Sequence, residues 1–156
     1  MSRRHDSLIP LSHDHHHGLV LAVRLKKGTS SMPEADWPSD ARGQAEYTRA
    51  FYQHDLVPHF CAEEEILFPA MLSDIHGVEP LITELLEQHN EMRRLIVELE
   101  HPNSEVVEST LQQLGEVLER HIRCEEIELF PFFERNIAEI TAQHVGKEIQ
   151  RIRFAE

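Results

Sequence analysis

Apolar residues recur at intervals of three and four along most of the chain, and no useful stretch alternates as a half-buried strand does. This spacing predicts four long helices, over about Ser12 to Lys27, Ala41 to Leu72, Pro80 to Glu100 and Ser104 to Asn136. A shorter amphipathic helix is expected over about 137–153. Because most connections are short, the pattern predicts an all-α fold: an antiparallel up-down-up-down four-helix bundle over about 8–135 with an additional short C-terminal helix.

Residues with strong backbone preferences indicate several helix ends. Ser12 and Asp40 are expected to cap the first and second helices, and Gly28 is expected to end the first. A polar, proline-containing loop, the longest of the chain, then precedes the second helix. Pro58 lies inside that helix and removes one backbone hydrogen bond, so we expect a kink just before His59.

Length and charge limit the classes of function. A chain of 156 residues most simply forms one domain, 1–156, with a core that needs no disulfide bonds. Its 28 acidic and 15 basic side chains give a formal charge of −13, which repels phosphate backbones and anionic lipids. We therefore expect neither nucleic acid nor a membrane as partner. Without an apolar signal core or a run near the ~20 apolar residues that cross a bilayer, a cytoplasmic protein is expected.

One segment of the sequence occurs twice. "HFCAEEEILFP", which begins at His59, returns as "HIRCEEIELFP" from His121. The copies share the histidine, the glutamates four and five places later, and the final Leu-Phe-Pro. Because residues four apart are separated by only ~40° around a helix, His59 and Glu63 share one face, as do His121 and Glu125.

Both His/Glu pairs interrupt apolar stripes that should face the core. Counting by threes and fours from His59 and His121 reaches mainly leucine, isoleucine, valine and phenylalanine. An unpaired carboxylate buried there would cost several kcal/mol. Each glutamate must therefore be protonated or lie next to a positive charge.

The other two long helices also carry histidines on their apolar stripes. His89 lies on the stripe of the third helix, between leucine and methionine positions. In the first helix His15 and His16 both line up with apolar residues; we favour His15 and keep His16 as the alternative. His13 and His17 fall off the stripe and are expected in solvent.

Four histidines and two glutamates are thus expected to converge in one core. Imidazole and carboxylate suit iron, manganese or zinc, and the lack of thiolates disfavours a cysteine-rich structural zinc site. Two six-coordinate ions offer roughly twelve positions, of which the six side chains and one bridging oxygen would fill about ten. About two positions would remain for a small ligand. We interpret the other acidic residues of the repeat as solvated helix surface: Glu64, Glu65, Glu126 and Glu128.

The segments "LSHDHHHGLVLA", "HFCAEEEILFP", "EQHNEM" and "HIRCEEIELFP" resemble the hemerythrin-like, or HHE cation-binding, domain proteins. The resemblance covers about Leu8 to Phe133. It implies a four-helix bundle around a non-haem di-iron centre, that is, two iron ions with a bridging oxygen. Carried over by motif position, the metal ligands would be His15, His59, Glu63, His89, His121 and Glu125.

Two positions depart from the pattern of the oxygen-carrying hemerythrins. Their third helix has a second histidine four residues after the first, where this chain has Arg93. Their fourth-helix carboxylate is an aspartate five residues after the histidine, the position of Glu126, whereas the repeat favours Glu125. Arginine cannot ligate a metal ion, although it can pair with a carboxylate or an anion. The resemblance therefore favours hemerythrin-like proteins of sensing and repair over reversible oxygen carriers.

Two functions follow as expectations. The first is a di-iron protein that binds or reacts with dioxygen, nitric oxide or peroxide in sensing, iron handling or stress protection. The alternative is a metal-dependent interaction or iron-delivery module without redox turnover. The apolar face of the C-terminal helix could serve that module as a homodimer surface, although we favour its packing on its own bundle. The sequence shows no acid/base or nucleophile group apart from the metal set, so a hydrolase is disfavoured, and turnover at the metal site stays open.

Overall fold

The computed structural model describes residues 3–28, 36–102 and 105–154. In these ranges the chain forms five helices and no β-strand, which confirms the predicted all-α class. A 3₁₀ turn at Asp6–Leu8 leads into the first helix. The helices are α1 (Ile9–Lys27), α2 (residues 41–74), α3 (Glu79–Glu98), α4 (residues 107–136) and α5 (Glu139–Arg153). No helix in the described part of the chain is long and apolar enough to cross a membrane.

Three π-helical turns interrupt α2 and α4. Within α2 they lie at Tyr52–Leu56 and Glu63–Leu67, and within α4 at Glu125–Leu129. Each precedes an α-helical segment with proline in its first turn: Pro58, Pro69 and Pro131. Proline lacks the N–H that an α-helix interior needs, and the wider π turn adapts the backbone to that loss. The helix continues through Pro58, and the local irregularity expected there takes the form of a π turn.

Several predicted helix ends need correction. α1 begins at Ile9, three residues before Ser12, because Pro10 suits a first helical turn and needs no N–H partner. Ser12 therefore does not cap the helix. The third helix ends at Glu98 and the fourth begins at Val107, so both are slightly shorter than predicted. Ser104 and residues 29–35 of the predicted loop lie outside the described residues.

Two of the predicted end signals are confirmed. The Asp40 carboxylate accepts a hydrogen bond from the Gly43 backbone N–H at 2.9 Å, as an N-cap residue does. Gly28 follows α1 with a φ of +65°, a conformation that glycine adopts without strain.

The core consists of two apolar clusters with a polar layer between them. One cluster includes Leu25, Phe60, Met92 and Leu118. The other includes Leu11, Leu67, Leu85 and Leu129. Along each of α1 to α4, the buried histidines and glutamates lie between residues of the two clusters. All four helices therefore present their polar residues at one level of the bundle.

Helix α5 packs against its own bundle. Ala142, Val145 and Ile149 are buried in the second apolar cluster, together with residues of α1 and α2. Most of the face that could have formed a homodimer is therefore covered by the same chain. Ile140 is 79% exposed and lies on the opposite side. The predicted dimer gains no support from this packing.

Candidate metal centre

The six side chains expected to bind metal lie together in the polar layer. Each is at most 3% exposed, and they come from all four bundle helices: His15, His59, Glu63, His89, His121 and Glu125. His16 is exposed, as are His13 and His17, so the inward histidine of α1 is His15. The stripe positions thus selected six residues that the fold brings to one place.

The ligating atoms form two groups that share the two glutamates. His15, His59, Glu63 and Glu125 make one group, and Glu63, His89, His121 and Glu125 make the other. Within each group, one nitrogen or oxygen atom per residue lies within 4.8 Å of all the others. We call the part around His15 and His59 the first half of the centre, and the part around His89 and His121 the second half.

The imidazole Nε2 atoms point at the two carboxylates. His89 Nε2 lies 3.0 Å from Glu63 Oε1, and His15 Nε2 lies 2.9 Å from Glu125 Oε1. Within the repeat, the His59 Nε2–Glu63 Oε2 distance is 3.2 Å. The His121 Nε2–Glu125 Oε2 distance is 3.3 Å. Each glutamate therefore lies between a histidine of its own helix and a histidine of another helix.

Three of these buried atoms have no hydrogen-bond partner: His59 Nε2, Glu63 Oε2 and Glu125 Oε2. His59 and Glu63 are close enough for a hydrogen bond, but the angles do not allow one. Buried polar atoms in folded proteins are nearly always paired, so convergent unpaired ones need a reason. A metal ion with nitrogen and oxygen ligands provides it, because iron, manganese and zinc all accept this mixture. The residues present therefore fit the centre that the resemblance implies.

Each histidine of the centre also forms a hydrogen bond through its Nδ1 atom with a polar side chain outside the centre. The Nδ1 atom of His15 bonds to Glu126 at 2.6 Å. The corresponding bond of His59 goes to Asp14 at 2.9 Å. The remaining two histidines complete the set, with His89 Nδ1 on Glu64 at 2.6 Å and His121 Nδ1 on Gln88 at 2.8 Å. Such bonds fix the tautomer that leaves Nε2 free to ligate, and they orient the ring.

These four outer partners close a ring around the bundle. Asp14 of α1 holds a histidine of α2, Glu64 of α2 holds one of α3, Gln88 of α3 holds one of α4, and Glu126 of α4 holds one of α1. Each partner is the sequence neighbour of an inner residue on its own helix. Each bundle helix therefore supplies inner side chains and also the outer side chain that orients a histidine of the neighbouring helix.

The sequence interpretation of Glu64 and Glu126 as solvated surface was wrong. The side chain of Glu64 is 28% exposed and that of Glu126 is 27% exposed, and each accepts a hydrogen bond from a histidine of the centre. Their shared position in the two copies of the repeat was the signal that could have identified them. Glu65 and Glu128 are exposed, as expected, and accept hydrogen bonds from Cys61 and Cys124.

Arginines pair with the three outer carboxylates. Arg93 Nη2 lies 2.7 Å from Glu64, so the residue that replaces a histidine of the oxygen carriers supports the centre from outside. Arg153 Nη2 lies 2.6 Å from Asp14 and connects α5 to the site. Arg4 Nη2 lies 3.2 Å from Glu126.

Burial and charge determine the protonation of the metal-free centre. Burial alone lowers the pKa of His121, but the negative charge of Glu125 beside it raises that pKa from 6.5 to about 9. Burial likewise opposes the charge of His59, yet Glu63 and Asp14 raise its pKa well above the usual value. Near neutral pH these imidazoles are therefore cationic and balance the buried carboxylates. A metal ion would replace those protons.

A narrow cavity of about 20 Å³ adjoins the first half of the centre. Its exposed end is lined by His17 and Asp55, and its inner end by His15, His59 and His121. This volume has room for about one water-sized molecule. The cavity therefore leaves space beside the imidazoles for about one molecule of that size.

Comparison with known proteins gives one curated relative. A DNA nickase of Nostoc sp. (strain PCC 7120 / SAG 25.82 / UTEX 2576) is 31% identical over 121 residues, which are 76% of this chain and 34% of the nickase. The chain thus spans about a third of that relative's length. The expectation that nucleic acid is no partner stays a prediction. No solved structure matches the chain.

The sequence model of one protein family covers the whole bundle. It is described as the hemerythrin HHE cation binding domain and matches residues 7–133. The matched range contains all six inner side chains and all four outer partners, and it ends before α5. The chain therefore belongs to the hemerythrin HHE cation-binding domain family.

Proposed function

We propose that this chain is a non-haem di-iron protein that binds or reacts with a small ligand such as dioxygen, nitric oxide or peroxide. The observation that supports the proposal is the pair of four-donor groups sharing two buried glutamates, with three donor atoms unpaired. The proposed metal ligands are His15, His59, Glu63, His89, His121 and Glu125. Bound iron would supply redox chemistry and open coordination positions, whereas manganese or zinc would fit the same donors.

The residues of the chain would orient and isolate that centre. The outer partners hold each imidazole with Nε2 facing inward, and the apolar clusters exclude bulk water. The narrow cavity beside His15 and His59, with room for about one water-sized molecule, favours very small ligands. This selectivity suits sensing, iron handling or stress protection in the cytoplasm. No residue is assigned a catalytic role.

The test is the response of the iron-loaded protein to small ligands. The chain is loaded with ferrous iron without oxygen, and its absorption spectrum is recorded before and after air, nitric oxide or peroxide. A new visible or near-ultraviolet band with at least one ligand is expected. His59→Ala should lose the response, and His16→Ala, which changes an exposed neighbour of the site, should keep it. Two bound irons with no response to any ligand would contradict a reactive centre.

A metal-dependent interaction module is the second candidate. It is favoured by the connection from His59 through Asp14 to Arg153 of α5, since this places a separate helix in contact with the centre. We propose that residues 1–156 nevertheless form one domain, because α5 shares an apolar cluster with the bundle. If the module is correct, removing metal should increase protease cleavage in α5 or change the oligomeric state. Identical digestion and size with and without metal would exclude it.

DNA nicking is the activity in the relative's name, and the matched segment is about a third of that protein. The net charge of −13 opposes contact with a phosphate backbone. We therefore propose that the shared segment contributes metal binding rather than DNA contact. Metal-dependent binding of this chain to a DNA duplex at physiological salt would contradict this assignment.

A further inference from the structure

The four outer partners of the histidines, which we call the outer ring, are not chemically equivalent. In the first half, the two histidines donate to the carboxylates of Glu126 and Asp14. In the second half, one donates to the carboxylate of Glu64 and the other to the neutral amide of Gln88. Gln88 is 5% exposed and its bond to His121 is buried, so the amide is a fixed part of the site.

The type of acceptor changes how strongly an imidazole binds metal. A carboxylate that accepts the Nδ1–H bond places negative charge against the ring and makes Nε2 a better electron donor. A neutral amide oxygen orients the ring without adding that charge. Hydrogen bonds to ionised groups are roughly twice as strong as those between neutral groups. His121 should therefore be the weakest donor of the four.

One arginine weakens the carboxylate acceptor of the second half. Arg93 Nη2 lies 2.7 Å from Glu64 Oε2, the same oxygen that accepts from His89, so it draws charge away from that bond. Arg4, by contrast, bonds to Glu126 Oε1, whereas Oε2 accepts from His15 and from the neutral hydroxyl of Ser12. The second half thus combines a neutral acceptor with a carboxylate that shares its bonding oxygen with an arginine.

The arginine on the first half does not remove the difference. Arg153 Nε lies 3.0 Å from Asp14 Oδ2, the oxygen that accepts from His59, and its Nη2 lies 2.6 Å from Oδ1. Asp14 is thereby a weaker acceptor than an unpaired carboxylate, but its ion pair with Arg153 keeps it an anionic acceptor. The first half keeps two anionic acceptors, and the second half keeps one.

We propose that Gln88 makes the two metal positions unequal, so that the first half takes up the first ion and the second half binds the next ion more weakly and releases it first. The inference rests on the proposed function, because it needs a centre for two ions. The shared glutamates contribute equally to both positions. The inequality therefore comes from the outer ring, and Gln88 is a positioning residue that acts through His121.

The experiment follows the four histidine rings during stepwise addition of Zn²⁺ to the full-length metal-free chain. Zinc is diamagnetic and uses the same nitrogen and oxygen donors, so the ¹⁵N and ¹H signals of labelled histidine report each ring. We expect the signals of His15 and His59 to change with the first equivalent. Those of His89 and His121 should change with the second, and a competing chelator should reverse the second step first.

Three substitutions, each of which exchanges an amide and a carboxylate in the outer ring, distinguish an electronic effect on metal binding from a structural one. Gln88→Glu should strengthen the second step by about tenfold or more and bring the two steps together. Glu126→Gln should weaken the first step by about tenfold, and Glu64→Gln should weaken the second further. A merely structural role would weaken binding in all three variants. If Gln88→Glu does not fold, the opposite effects of the two glutamine variants on the separation between the steps still decide the question.

The outcomes distinguish this inference from the proposed function. Two ions that shift all four rings together would support a two-metal centre and overturn the inequality. One ion per chain that shifts His15 and His59 alone would contradict the two-metal function and support the inequality. A first ion at His89 and His121 would overturn the inference, and no bound ion would overturn both.

Discussion

The two copies of the repeated segment, residues 59–69 and 121–131, build the same inner arrangement in different surroundings. In each copy the glutamate four residues after the histidine starts a π turn that ends just before Phe-Pro. The histidine of the first copy donates to a carboxylate, Asp14, and that of the second copy to an amide, Gln88. The repeat thus determines what both copies contain, and the unrepeated helices α1 and α3 determine how they differ.

The residue after each histidine differs as well. Phe60 stacks on His89 with 3.9 Å between ring centroids, so it covers the second half of the centre. The equivalent residue, Ile122, lies so close to Gly18 that a Cβ there would be 2.7 Å from its Cδ1 atom. Both Gly18 and Ile122 line the narrow cavity. Phe60 lines the same cavity, so both copies of the repeat contribute to its wall.

The largest expected effect comes from the glutamates that the copies have in common. Glu63→Gln or Glu125→Gln should remove both ions, because each carboxylate belongs to both four-donor groups. Circular dichroism should show that the helices remain. Metal analysis of the purified variants checks the prediction, with Glu65→Gln, an exposed residue of the same turn, as the matched control. Retention of two ions in either variant would contradict the shared bridging role.

A second large effect is expected on the free energy of unfolding of the metal-free protein as pH changes. The folded-state pKa of His121 is raised from 6.5 to about 9, so its contribution to the free energy of unfolding is complete below the lower value and is lost as pH rises through the higher one. Urea unfolding with a chelator between about pH 6 and pH 10 should show this decline. A flat or rising profile would mean that the imidazoles do not balance the glutamates.

At acidic pH, the two copies of the repeat should differ in how their histidine partners make stability depend on pH. Asp14, the partner of His59, has a pKa lowered from 3.8 to about 2 through hydrogen bonds to His59 and Arg153 that overcome the effect of its burial. Its contribution to stability is therefore present above the higher value and lost as pH falls through the lower one. Gln88 does not titrate. Asp14→Asn should reduce the acid dependence of stability in urea unfolding, and an unchanged acid limb would contradict the pairing.

A smaller effect is expected from Arg153. Arg153→Met should lower the free energy of unfolding by about 1–2 kcal/mol, because it leaves the partly buried Asp14 carboxylate with one partner fewer. It should also leave Asp14 a stronger acceptor for His59, and so strengthen zinc binding at the first half relative to the second. Arg151→Met, which removes an exposed ion pair within α5, is the control. Equal losses in the two variants would show that Arg153 acts only as surface charge.

The smallest effect on stability is expected at Gly18. Gly18→Ala gains helix propensity of about 1 kcal/mol but must displace the flexible end of Ile122, so the two effects should nearly cancel. The displaced side chain should narrow the cavity and slow the reaction with nitric oxide in stopped-flow absorption. An unchanged rate would show that ligands reach the centre by another route.

The periodicity of the sequence predicted the bundle and the inner residues because it reports which side of a helix faces the core. It did not predict Asp14 or Gln88, whose contacts join different helices at the border between core and solvent. There a polar residue looks the same whether it meets water or a histidine. The π turns were also missed, since each depends on a proline several residues later.

The central claim is a centre of two ions shared by the two copies, and iron content tests it most directly. The full chain should be loaded with ferrous iron without oxygen, freed of excess metal, and analysed for iron per chain alongside His59→Ala and His121→Ala. We expect two irons per chain in the unchanged protein and loss of stoichiometric binding, with helices retained, in both variants. One iron or none in the unchanged protein, or two in either variant, would contradict it.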